Sequence, residues 1–457
     1  GIYSLAISIS LLLFTIIDTS MNSALLKYSS GVELGKNKKA GAYFRYLLGL
    51  KIKYSLVLAV LILIFAYPTS IFIFKKPQLF FPLILSAVYI IFLSMESFFS
   101  SLFFIFNDLK ILFFKETFFQ VLRVGLILLV PILFIKRFYV VGSFLVLITS
   151  MFIIFLLVFS ISKKKYPTLY KSDKIKLNKS TVKNFIFYIA IGGVSAMVFS
   201  YIDILMLGAF IPDSSFVGFY RAATTLVFSI AGLLTFSNVL LPKFSEIKKE
   251  KLGFIVNSIS RYLLILSVPA TFGFLALGKF IIRAIYGYDY LNAFYPLLIL
   301  SLIIPVVVMS GLFYSVLSAR GKPDIYTKAS SISLLVNVVL NYIFIKLLME
   351  ISFLWAIIGA GTATTISYSL YVGILIFNIK KSFGIKFQSF LFFKPLFASI
   401  IMYLLLIYIN GFIEDMTLFI GAFEIIFSIA FYFLIMFLIK GINKDDFKFF
   451  NIKDFLS

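Results

Sequence analysis

The stretch YVVGSFLVLITSMFIIFLLVFSI, residues 139–161, decides the fold. It carries no charge along its length, and Ser162 is followed at once by Lys163, Lys164 and Lys165. A helix rises about 1.5 Å per residue, so such a run crosses the roughly 30 Å hydrocarbon core of a bilayer. That core holds no water, so the backbone groups must bond within the segment, which a helix does. Lysines crowded at one end mark the cytoplasmic side.

Twelve further apolar runs surround this one: 1–24, 52–74, 79–105, 111–135, 184–210, 217–241, 255–277, 293–318, 329–349, 353–379, 389–410 and 417–439. One such run can be the core helix of a water-soluble protein. Thirteen in succession with short polar links define an all-α polytopic membrane protein. Composition agrees, with 61% hydrophobic and 13% charged residues, against about 25% charged in soluble domains. Cysteine and histidine are both absent. Disulfides, thiolate nucleophiles, Cys metal sites and a His general base are therefore excluded. No enzyme motif appears, so the expectation is a non-enzyme without cofactor or metal.

A net charge of +23 raises nucleic acid as a partner. The positions of the charges give another account. Basic residues gather in alternate links: Lys27 to Lys53, Lys110 and Lys115, Lys163 to Lys183, Lys243 to Lys251, Arg320 to Lys328, Lys380 to Lys386, and the tail from Lys440. The other links hold only Lys75, Lys76, Lys136, Arg137, Lys279 and Arg283. The positive-inside rule makes the first set cytoplasmic, with no nucleic acid involved. The C-terminus is then expected in the cytoplasm and Gly1 outside, so that a helix is expected before Gly1, for about fourteen in all. Trp355 reads as an interfacial anchor, and Glu424 and Lys346 as interfacial groups near outer helix ends.

The chain repeats itself. Gly1-Ile2-Tyr3 matches Gly218-Phe219-Tyr220, and the stretch from Asn22 to Ser29 matches that from Asn238 to Ser245. Asp108 and Asp324 share the same offset. The orientation is equal in both halves, so the repeat is parallel, about an axis along the membrane normal. The expected organisation is an N-lobe over 1–162, a basic cytoplasmic linker over 163–183, a C-lobe over 184–379, and two extra helices with a tail over 380–457.

This pattern, with Asp203-Ile204-Leu205-Met206-Leu207-Gly208, Val217-Gly218-Phe219-Tyr220-Arg221, Tyr286-Gly287-Tyr288-Asp289-Tyr290 and Ala319-Arg320-Gly321-Lys322-Pro323, resembles the Wzx-type polysaccharide flippases of the MOP exporter superfamily. The resemblance implies a MATE-like fold of two six-helix lobes plus two C-terminal helices, the first helix missing here. It also implies alternating access that carries polyprenyl-diphosphate-linked oligosaccharide to the outer leaflet of the plasma membrane. The expected partners are that lipid-linked oligosaccharide and the bilayer. The chain is expected to be a monomer, with glycan-assembly membrane proteins as candidate neighbours.

Ionisable groups within the spans mark pathways or pairs. Arg123 lies about twelve residues, roughly 18 Å, from the cytoplasmic end of its helix. It is the first candidate for the diphosphate, the alternative being a pair with Glu96 or Glu116. Arg221 is a second candidate, or else the partner of Asp203 or a snorkelling group at the interface. Arg261 is a third, near a cytoplasmic end, where it and Lys115 could instead snorkel. Asp18, Glu96 and Asp203 are candidates for H⁺ or Na⁺ coupling, or for packing by hydrogen bonds together with Asn22 and Asn238. Two other functions compete: a cation-coupled drug or metabolite antiporter, which wants an acidic cavity, and a membrane glycan polymerase or transferase, which wants acids on a large outer loop.

Overall fold

The computed structural model describes residues 1–29, 38–170, 177–235, 244, 247, 249–385, 390–413 and 417–442. Its elements are helices. They are α1 (Ile2–Ser29), α2 (Lys38–Pro68), α3 (Phe80–Ile105), α4 (Leu109–Ile127), the short α5 (Val130–Leu133), α6 (Tyr139–Lys165), α7 (Lys179–Phe210) and α8 (Ser214–Leu234). They continue with α9 (Lys249–Tyr286), α10 (Phe294–Ser301), α11 (Ile304–Ala319), α12 (Pro323–Met349), α13 (Phe353–Phe383), α14 (Phe390–Asn410) and α15 (Leu418–Leu438). Among the described residues there is no strand.

Eleven of these helices are long and apolar enough to cross a membrane by themselves. Taken as one span, the bent pair formed by residues 288–301 with α11 makes a twelfth. The 32-residue α7 covers the thirteenth apolar run. The expected all-α polytopic architecture is thus present. The single apolar run 293–318 is divided in the structure, with a bend of 48° after Ser301. Pro305 stands at the start of α11 and has no N–H to give the carbonyl of Ser301. Thr271 Oγ1 of α9 donates to that carbonyl instead, at 2.9 Å.

The chain forms two compact units, Gly1–Val217 and Gly218–Ser457. By sequence repeat α7 opens the second half; by packing it lies in the first unit, against α1. The approach is close, since a methyl group at Gly208 would stand 2.5 Å from Leu5 Cδ1. Lys76, in the turn before α3, donates from Nζ to the carbonyls of Gly208 (2.6 Å) and Ile211 (2.7 Å). A cation there satisfies carbonyls that the end of α7 leaves open and complements the helix dipole. Lys76 lies in a link, as its place between two apolar runs predicts, and there it is buried.

One end of the first unit is filled by aromatic rings from α2, α3 and the residue that caps α6: Phe44, Phe98, Phe99, Phe103 and Tyr166 are almost wholly buried. Tyr166 stacks on Phe106 at 4.2 Å between centroids. The expected linker is therefore helical at both ends, through Lys165 and from Lys179, with a 3₁₀ turn at Pro167–Tyr170 held under this cluster.

In the second unit α9, α14 and α15 share a core of Ile265, Leu277, Met402, Tyr432 and Met436. Pro269 interrupts α9 and leaves the Ile265 carbonyl without its helical donor. Tyr432 of α15 supplies one, its hydroxyl donating at 2.8 Å. Caps fit the local sequence. The Ser352 hydroxyl accepts from Trp355 N–H at the start of α13, and Gly384 ends that helix in the left-handed region at φ 67°. Trp355 is exposed, as a membrane-surface anchor would be.

Candidate functional site

Five charged side chains of the first unit converge across α1 to α4. Asp18 lies on α1, Lys51 on α2, Glu96 on α3, and Lys115 and Glu116 on α4. α2 begins fourteen residues before its apolar run, and this extension carries Lys51 inward. The lysine side chain is 0% exposed and its Nζ stands 2.5 Å from Asp18 Oδ1. It also donates to Asn22 Oδ1 at 3.3 Å. The second Asp18 oxygen accepts from Ser97 Oγ (2.9 Å) and Asn22 Nδ2 (3.1 Å). The carboxylate is thus satisfied on both oxygens, which offsets much of the cost of taking it from water.

Glu96 is held likewise. Lys115 Nζ lies 2.8 Å from its Oε1 and 3.2 Å from Glu116 Oε2. Ser100 Oγ donates to the same Glu96 oxygen at 2.5 Å. Serine pairs extend the polar seam, with Ser55 to Ser94 at 2.7 Å and Ser10 to Ser86 at 2.6 Å.

Several expectations change here. Lys51 was read as a loop residue and is the most buried cation of the seam. Lys115 was read as snorkelling and instead bridges two acids. Asp18 and Glu96 are each paired with a lysine. Arg123, one of whose readings was a pair with Glu96 or Glu116, makes no ion pair among the described residues. Lys115 has taken both acids. The Arg123 guanidinium is half-buried and lies 5.5 Å from the centroid of Phe119.

The other candidates lie apart from this seam. Asp203 is buried on α7 of the first unit, and Arg221 is on α8 of the second, so their pair is not a feature of either unit. Arg261 Nη2 donates to the Gly441 carbonyl at 2.8 Å, just past α15. It caps the carbonyl end of α15 there. Asn22 packs as expected, and Asn238 lies outside the described residues. Glu424, read as interfacial, is only 3% exposed. In the second unit Thr364 accepts from Asn337 Nδ2 at 3.4 Å and lies 3.3 Å from the Tyr220 hydroxyl, which ties α8, α12 and α13. Among the described residues no group of His, Cys, Asp and Glu could hold a metal.

The helical membrane fold is one that solved structures share. The structure is similar to the lipid II flippase MurJ in its inward closed conformation, with TM-score 0.79 and 17% identity over 96% of this chain and 92% of that one. It is also similar to an inward-facing multidrug MATE transporter, with TM-score 0.57 and 14% identity over 84% and 92%. The chain belongs to the family described as polysaccharide biosynthesis protein, whose model matches residues 1–248. It is 26% identical over 232 residues to the probable low-salt glycan biosynthesis flippase Agl15 of Haloferax volcanii, which covers 49% of this chain and 47% of that protein. It is 25% identical over 262 residues to an uncharacterized membrane protein of Methanocaldococcus jannaschii, covering 54% and 50%. The chain spans about half the length of the curated relatives it matches.

Proposed function

We propose that this protein flips a polyprenyl-diphosphate-linked oligosaccharide from the cytoplasmic to the outer leaflet of the plasma membrane by alternating access. Family membership and the glycan flippase among the relatives support the transport of a lipid-linked glycan. The observation that carries the substrate class is Arg123. Lys115 takes both nearby acids, which leaves the guanidinium without an ion pair among the described residues. An unpaired cation at membrane depth costs several kcal/mol, and an anionic ligand offsets that cost. A guanidinium presents planar paired donors that match diphosphate oxygens. A drug antiporter would want an acidic cavity, which this cation disfavours. The protein acts as a monomer beside the membrane enzymes that assemble the glycan, with its C-terminus in the cytoplasm.

The test is complementation of a flippase-null host. Arg123→Ala is expected to abolish surface glycan at normal protein level while the lipid-linked sugar accumulates. Arg123→Lys should retain part of the activity. Full export by Arg123→Ala would sink the assignment.

A further inference from the structure

The buried face of α15 runs through Gly421, Glu424, Ser428, Tyr432, Ile435 and Met436. It is tightly seated. A methyl at Gly421 would stand 2.1 Å from Phe280 Cζ of α9. The polar members of this face are matched, Ser428 to the Ile425 carbonyl and Tyr432 to the Ile265 carbonyl. Glu424 is the exception. It is 3% exposed, and among the described residues neither carboxyl oxygen has a hydrogen-bond partner.

The cations on the helices packed against α15 are committed elsewhere. Arg261 of α9 and Lys394 of α14 bond the Gly441 and Lys440 carbonyls, at the far end of α15. Lys279 of α9 lies over the Phe294 ring, and Arg283 over and against Tyr288. Glu250 and Lys251 begin α9 and belong to its opposite end. Of the phenols, Tyr432 bonds Ile265 and Tyr403 of α14 packs on Phe272, while Tyr262 and Tyr286 of α9 and Tyr408 of α14 complete the set. Asp18 and Glu96, by contrast, each have a lysine within 2.8 Å. An ionised carboxylate stranded in hydrocarbon with no cation costs far more than a neutral acid. Packing does not explain an acid here, because a leucine would fill the space without stranding two oxygens.

We propose that Glu424 is a proton-binding site: the carboxyl holds a proton at rest and passes it to water when α9 and α15 part. The carboxyl O–H breaks, leaving carboxylate and hydronium. The use proposed for that proton is to couple transport to H⁺. That use alone rests on the transporter reading.

The experiment uses the full chain in liposomes, with no glycan substrate. Dicyclohexylcarbodiimide enters hydrocarbon and adds the O–H of a protonated carboxyl across its C=N bond. The adduct rearranges to an N-acylurea that keeps every atom of both partners, so peptide mass spectrometry locates it. Glu424 is expected to carry the adduct at neutral pH, with yield falling as the pH is raised. Glu116, whose side chain is 56% exposed, should stay unmodified at neutral pH. The infrared carbonyl band of a protonated carboxyl should titrate in step and be absent from Glu424→Gln. If that variant does not fold, loss of the band on carbodiimide modification of the native chain identifies it. The band decides where the reagent fails to reach the site. A band appearing only below about pH 5, as for a solvated glutamate, overturns the proposal. So does a band that no alkaline titration removes, since that proton never leaves. Either failure leaves the flippase reading standing, which Arg123 tests separately.

Discussion

Lys51 Nζ stands 2.5 Å from Asp18 Oδ1, and the lysine side chain is wholly buried. The two residues come from different helices and form the centre of the seam that joins α1 to α2. Removing one partner strands the other. Lys51→Met or Asp18→Asn alone is expected to cost about 3–5 kcal/mol, while the double variant recovers most of it. Thermal unfolding of the purified variants in detergent measures this. A double variant no better than the singles would mean that the pair is not coupled.

Lys76 gives a pH dependence. Burial lowers its ammonium below the ordinary lysine range, and nearby Asp213 restores part of the shift. The folded protein therefore releases this proton at lower pH than the unfolded chain. Between the two values the unfolded chain binds more protons, so stability rises with pH up to the ordinary value of about 10.5. Lys76→Met is expected to abolish that rise. It should also speed amide exchange at Ile211, whose N–H bonds Leu207 in the last turn of α7. A stability profile identical to the native one would contradict the lysine's role.

Tyr432→Phe leaves the Ile265 carbonyl buried and unbonded, at a cost of about 1–3 kcal/mol. Pro269→Ala restores a helical N–H to the same carbonyl. In that background Tyr432→Phe is expected to cost almost nothing. The same logic holds for Thr271→Val with and without Pro305→Ala, because Thr271 bonds the Ser301 carbonyl. Equal costs in both backgrounds would show that the hydroxyls act otherwise.

Arg261 and Lys394 both bond carbonyls just beyond α15. Arg261→Ala should lower thermal stability by about 1.5–3 kcal/mol, typical of a charged hydrogen bond, and loosen residues 436–441 in amide exchange. Glycan export per folded molecule should persist. Lost export at unchanged stability would return Arg261 to the substrate path.

The sequence alone located the helices because hydrocarbon permits little else: a run such as 139–161 has one conformation available to it. The bend after Ser301 was hidden, since hydropathy continues unbroken through Pro305. The charges whose burial the sequence hides share a cause. Lys51, Lys76 and Glu424 lie near the ends of apolar runs, where a linear reading places charge in water. Lys51 is drawn in because α2 extends well beyond its apolar stretch. Lys76 turns onto the end of a helix more than 130 residues away in the chain. Glu424 sits on the buried face of α15, a fact that depends on which neighbour covers it. Arg123 was legible as a deep cation, but its freedom from Glu96 depends on Lys115, which only the fold brings to that acid.

A helix interrupted by proline is a rod with a missing rung, and it yields there under load. In this protein the rungs at Pro269 and Pro305 are lent by side chains of adjacent helices. α9 thus cannot flex at its weak point without stretching its bond to α15, nor α11 swing on α10 without pulling on α9. The last helix thus braces α9 at the one place where its own ladder is open.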